Sequence, residues 1–141
     1  MNPNLIIELD KKVSESLKND EIPIGAVIFD KKSNIIASGS NTRQKSHNIL
    51  GHAEINAVLE AEKKIGDWRL DGYSLLVNLE PCDMCTSIIK EARLNKVYYF
   101  VENNNVNNLG FINKEQLDII KYKKYVDKYK ELLSTYFKNK R

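Results

Sequence analysis

Cysteine is nearly absent from the 141 residues: only Cys82 and Cys85 occur, three apart, with none left for a long-range disulfide. That argues against a disulfide-stapled secreted scaffold and fits thiols that hold metal in a reducing cytoplasm. Histidine is as scarce, with only His47 and His52. No apolar run approaches the roughly 20 residues of a membrane-spanning helix. The opening Met1-Asn2-Pro3-Asn4-Leu5-Ile6-Ile7-Glu8 brings in an acid where a signal peptide needs its apolar stretch. Repeats, low-complexity linkers and composition breaks are missing too, so one domain over residues 1–141 is expected, long enough to bury a core.

A large excess of one charge is also lacking. The net charge of +3 is too small to announce a nucleic-acid partner. Its distribution says more: residues 114–141 hold nine Lys or Arg against four Asp or Glu, while residues 1–113 hold thirteen against fifteen. A basic C-terminal segment can touch phosphates, though a solvated lysine-rich helix face accounts for the same pattern.

The hydrophobic share of 42% is ordinary for a globular chain, and its periodicity is informative. Leu5, Leu9, Val13 and Leu17 make one apolar stripe on a first helix, started by Asn2-Pro3 and ended near Asn19-Asp20. Residues 24–29 and 35–39 read as strands joined by a turn, a predicted hairpin. A helix is predicted over 52–65, with Ile55, Val58, Leu59 and Ala61 inward and Gly66 ending it. Residues 73–79 form a third strand, and Pro81 is expected as the first residue of a helix that Cys82 and Cys85 open. A fourth strand over 96–101 and a polar loop over 103–108 follow, then a short fifth strand over 117–122. A terminal helix covers 125–138, with Tyr125, Tyr129, Leu132, Leu133, Tyr136 and Phe137 as its candidate buried side. Strands alternating with helices after a hairpin predict an α/β fold: a three-layer α/β/α sandwich around a central mixed five-stranded sheet.

Against that frame His52-Ala53-Glu54 and Pro81-Cys82-Asp83-Met84-Cys85 stand out. One imidazole and two thiolates suit Zn²⁺, and three protein ligands leave a fourth position for water. Cys82 and Cys85, three apart at a helix start, project from one face, where the positive helix end favours thiolate. Water on such a metal is acidic near neutral pH, and Glu54, two residues from a ligand, is placed to move its protons. A redox C-x-x-C leaves His52 and Glu54 unexplained. A purely structural zinc module needs a fourth ligand, and only His47, in a polar loop, remains. Glu54 taken alone is also an acid favoured by the helix dipole. Asn41 is either a turn residue or an amide that reads a base edge.

The H-x-E…P-C-x-x-C pattern is shared by zinc-dependent nucleobase deaminases. With Glu21-Ile22-Pro23-Ile24-Gly25-Ala26-Val27, Trp68-Arg69-Leu70 and the aromatic-basic tail from Leu132 to Arg141, the chain resembles the bacterial tRNA-specific adenosine deaminases of the cytidine-deaminase-like superfamily. That resemblance implies a cytoplasmic hydrolase that converts adenosine to inosine at the wobble position of a tRNA anticodon, working as a homodimer with one Zn²⁺ per subunit. It implies His52, Cys82 and Cys85 as zinc ligands, Glu54 as proton shuttle, Asn41 as base contact, and Val27, Ala53 and Leu79 as base-pocket lining. Two stretches depart from the family pattern. The segment after the fourth strand, Phe100 to Gly110, is asparagine-rich where relatives show Gly-Ala-x-Asp followed by Lys. Gly51 stands where they prefer a small apolar residue. Deamination of a free base, nucleoside or nucleotide on the same scaffold is the alternative, and a zinc-stabilised RNA-binding module a third reading.

Overall fold

A computed structural model describes residues 1–107 and 112–140. Helix α1 (Pro3–Lys18) precedes the hairpin of β1 (Gly25–Phe29) and β2 (Ile35–Ser40). Then come α2 (Ala53–Ile65), β3 (Ser74–Leu79), α3 (Asp83–Glu91), β4 (Lys96–Val101), β5 (Lys114–Gln116) and α4 (Lys123–Asn139). The five strands form one sheet in the order β2-β1-β3-β4-β5. β1 runs antiparallel to both β2 and β3, whereas β3, β4 and β5 are parallel.

Each face of the sheet has its own core. Ala26, Ile28, Leu75, Val77 and Val97 pack with Ala57, Ala61 and Ile89 of α2 and α3. Val27, Phe29, Leu76 and Phe100 pack with Leu5, Leu9 and Val13 of α1 and Val126 and Tyr129 of α4. Alternate strand residues therefore feed opposite layers, and the expected α/β/α sandwich is what forms.

α1 starts as predicted: the Asn2 side chain accepts the Asn4 N–H at 2.9 Å, and Pro3 opens the helix. Its stripe departs from expectation at one position. Leu5, Leu9 and Val13 are buried, but Leu17 is 42% exposed and Ser16 is buried in its stead. The Ser16 hydroxyl donates to the Ile24 carbonyl at 2.6 Å and accepts the Asn41 N–H at 2.9 Å. The end of α1 is thus a polar clamp between the strands rather than an apolar contact. Leu59, expected inward on α2, is exposed, as is Phe137 on α4.

Two boundaries also differ. β5 lies at Lys114–Gln116 and not at 117–122. Leu117 is buried and its N–H still reaches the Tyr99 carbonyl, but Asp118 then accepts the N–H groups of Ile120 and Lys121 and turns the chain. An edge strand three residues long and polar carries little apolar signal. α3 begins at Asp83, with Cys82 as its N-cap and Pro81 before it. Asn108 of the predicted polar loop lies outside the described residues. None of the helices among the described residues is long and apolar enough to cross a membrane.

Gly39 fixes how α2 meets the sheet. A Cβ there would lie 2.4 Å from the Ala53 carbonyl oxygen and 2.8 Å from the Ala57 nitrogen. Only a residue without a side chain lets the first turn of α2 sit this close to β2.

Candidate metal centre

His52 is the N-cap of α2, Cys82 the N-cap of α3, and Cys85 lies in the first turn of α3. The two helix starts converge beside the sheet. The His52 Nδ1 atom is 3.3 Å from the Cys85 sulfur and 3.7 Å from the Cys82 sulfur, and all three donor atoms lie within 4.8 Å of one another. Tetrahedral geometry with Zn–N and Zn–S bonds of about 2.0 and 2.3 Å puts neighbouring ligands about 3.6 Å apart, so the donor set fits Zn²⁺. Neither cap side chain bonds its own helix backbone, which leaves both donors free for metal. Among the described residues no carboxylate joins this group, and His47 sits apart in an exposed loop. Among the described residues the group therefore offers three donors and not the four of a closed structural site.

The protonation states agree with a metal centre. Cys82 is lowered to about 4, chiefly because the Cys85 thiol donates a hydrogen bond to it, with His52 adding to the effect. Cys85, which holds that shared proton in a buried position, is raised. A divalent cation takes the place of such a shared proton. His52 is raised, first by its hydrogen bond to Cys82. Glu54, in the first turn of α2, is 4% exposed, and burial pushes its carboxyl up to about 7. A buried acid poised near neutrality beside three metal donors can both accept and return a proton.

Asn41 sits just after β2 with its side chain engaged on both sides. Its Nδ2 donates to the Ile22 carbonyl at 2.9 Å, and its Oδ1 accepts the Ala53 N–H at 2.7 Å. That bond satisfies an orphan N–H at the start of α2 and fixes the peptide that joins His52 to Ala53. Asn41 also lines a small hollow of about 70 Å³ with Ile22, Ile24, Arg43, His52 and Tyr136. The hollow shares Ile22, Arg43, Gln44 and Tyr136 with a wider cavity of about 610 Å³ that Lys45, Phe137 and Lys140 also border.

The structure thus brings together His52, Ala53, Glu54, Cys82, Cys85 and Asn41. Val27 lies fully buried in the α1 and α4 core, and Leu79 is half-buried at the end of β3 against that same core. The β1 approach contributes Ile24 to the hollow instead. Sequence reasoning assigned no role to Ile24, Arg43 or Gln44, or to the work of Glu21. The buried Glu21 carboxylate accepts the N–H groups of Gln44 and Lys45 at 3.1 and 2.9 Å, holding the loop that borders the hollow. Gly51 seats the same loop: a Cβ there would lie 2.6 Å from the Arg43 nitrogen. Polar residues beside a strand end gave the only hint of these contacts.

An α/β/α sandwich with one histidine and two cysteines at converging helix starts defines a class of zinc-binding proteins. The chain belongs to the cytidine and deoxycytidylate deaminase zinc-binding region family, whose model matches residues 4–101. A zinc site is thus part of the chain, and its one three-donor group among the described residues accommodates one ion. A tRNA-specific adenosine deaminase of Streptococcus pyogenes serotype M18 is 43% identical over 93 residues, covering 66% of this chain and 58% of that protein. The chain spans just over half the length of such curated relatives. Among solved structures, one from studies of A-to-I editing by tRNA:A34 deaminases matches with a TM-score of 0.75 at 25% identity, covering 81% of this chain and 97% of that one. Guanine deaminase from Bacillus subtilis matches with a TM-score of 0.67 at 33% identity, covering 80% and 73%.

Proposed function

We propose that this protein is a zinc-dependent hydrolase that deaminates adenosine to inosine at the wobble position of a tRNA anticodon. The observation that carries the chemistry is Glu54, a buried carboxyl pushed up to about 7 beside the donor set of His52, Cys82 and Cys85. Zn²⁺, when bound by those three residues, supplies Lewis acidity and an activated water. Glu54 accepts a proton from the attacking water and delivers it to the ring nitrogen, then takes the proton of the hydroxyl added at C6 and delivers it to the amine, which leaves as ammonia as the C6 carbonyl forms. Asn41 holds the start of α2 in place and offers its remaining amide capacity to the base edge, with Ala53 beside it.

The choice of an RNA substrate is supported by the relatives named tRNA-specific adenosine deaminase. It is supported too by the basic and aromatic surface next to the hollow, where Arg43, Lys45 and Lys140 can meet phosphates and Tyr136 and Phe137 a base. A base splayed from an anticodon loop costs little to extrude. The protein acts as a cytoplasmic homodimer in this reading, and exposed Ile49, Leu50 and Leu59 are apolar surface that a second copy can cover.

The test is a substrate panel: an anticodon stem-loop with wobble adenosine, alongside free adenosine, cytidine, cytosine and guanine. Inosine in the stem-loop alone is expected. Turnover of a free compound with none on RNA would overturn the substrate assignment and favour the guanine- or cytosine-type alternative.

A further inference from the structure

We infer that the asparagine loop between β4 and β5 is a positioning device for the zinc centre, with Asn103 and Asn107 clamping the two acids that bracket Pro81-Cys82. The inference rests on the assignment of Cys82 as a zinc ligand. The family model matches residues 4–101 and so ends before this loop, whose described part is docked rather than free. The Asn103 N–H donates to the Glu80 carboxylate at 3.1 Å, and its side-chain amide donates to the Glu80 carbonyl at 3.3 Å. Four residues on, the Asn107 N–H and side-chain amide reach the two oxygens of Asp83 at 3.1 and 3.0 Å. The Asn103 side chain also accepts the Asn105 N–H at 3.0 Å, which sets the turn that spaces the two anchors.

Between the anchors lies the segment Glu80-Pro81-Cys82-Asp83. Its start is tied to the sheet by the Glu80 N–H on the Val101 carbonyl, and the nearly buried Glu80 carboxylate also holds Lys114 at 2.6 Å. Its end is the first turn of α3, where the Cys82 carbonyl accepts the Thr86 N–H at 2.9 Å. Cys82 itself makes no cap bond, so its backbone is held on both sides while its sulfur stays available. Groups that orient a ligand from outside its contact shell tune metal affinity by about 10- to 100-fold. The asparagines fill that role here by hydrogen bonding across a loop, with no contact to the metal.

The test uses the full chain with Asn103→Ala, Asn107→Ala and their combination, read by zinc dissociation against a competing chelator and by the absorption of the Co²⁺-substituted protein. The double variant is expected to bind zinc about 10- to 100-fold more weakly, with shifted thiolate-to-cobalt bands. Asn107→Asp, similar in shape but without side-chain donors, is expected to weaken binding as well. Asn105→Ala, whose side chain touches neither acid, should leave both readouts alone. A double variant with parental affinity and an unchanged cobalt spectrum overturns the positioning role. A parent protein lacking thiolate-to-cobalt bands overturns the zinc assignment itself.

Discussion

At the level of single residues, chemistry is set by which groups are left uncommitted. Cys82 and His52 cap helices without bonding them, so the positive helix ends act on donor atoms rather than on backbone partners. Removing zinc with a chelator should abolish turnover, and stoichiometric Zn²⁺ should restore it. Cys85→Ala should lower zinc content below one per chain, measurable by elemental analysis; full occupancy in that variant would remove Cys85 from the ligand set. Asn41 is committed in the opposite sense. Asn41→Ala leaves the buried Ala53 N–H without its partner and the Ile22 carbonyl with the Ile24 N–H alone, an expected loss of about 1–3 kcal/mol in urea unfolding. Stability unchanged from the parent would show that these bonds are replaced by others.

Among the elements, approach distances decide where the residues go. Gly39→Ala forces a Cβ against the first turn of α2 and should destabilise the fold by about 1–3 kcal/mol through overpacking, with zinc affinity falling as His52 moves. A variant with parental stability and metal affinity would contradict the close seating of α2 on β2. Much of this level was legible in the sequence. β4 falls where its apolar run lies, and α1, α2 and the hairpin follow from periodicity and turn residues, because these elements bury one face on the sheet. β5 was misplaced because its own residues, Lys114-Glu115-Gln116, are polar at a sheet edge, whereas the apolar residues that drew attention belong to the turn after it. The donor set was legible because ligand type and spacing are local. The hollow was not, since Ile24, Asn41, His52 and Tyr136 come from four separate stretches and only packing joins them.

For the molecule as a whole, the terminal helix brings Tyr136, Phe137 and Lys140 to the cavity beside the hollow that Asn41 and His52 line. Lys140 pairs with Asp20 at 2.8 Å, and the Tyr136 hydroxyl donates to the Asp20 carbonyl at 3.4 Å. Deleting residues 136–141 should lower kcat/KM on an anticodon stem-loop while leaving zinc content intact; equal kinetics on RNA would exclude the tail from substrate binding. The decisive measurement compares parent and Glu54→Ala in single-turnover deamination of that stem-loop, with zinc quantified in both. Equal zinc and a rate lower by at least about 10²-fold are expected, since proton transfer by a positioned acid contributes about 10²- to 10⁴-fold. Full activity in the zinc-loaded variant would contradict a hydrolase in which Glu54 moves the protons.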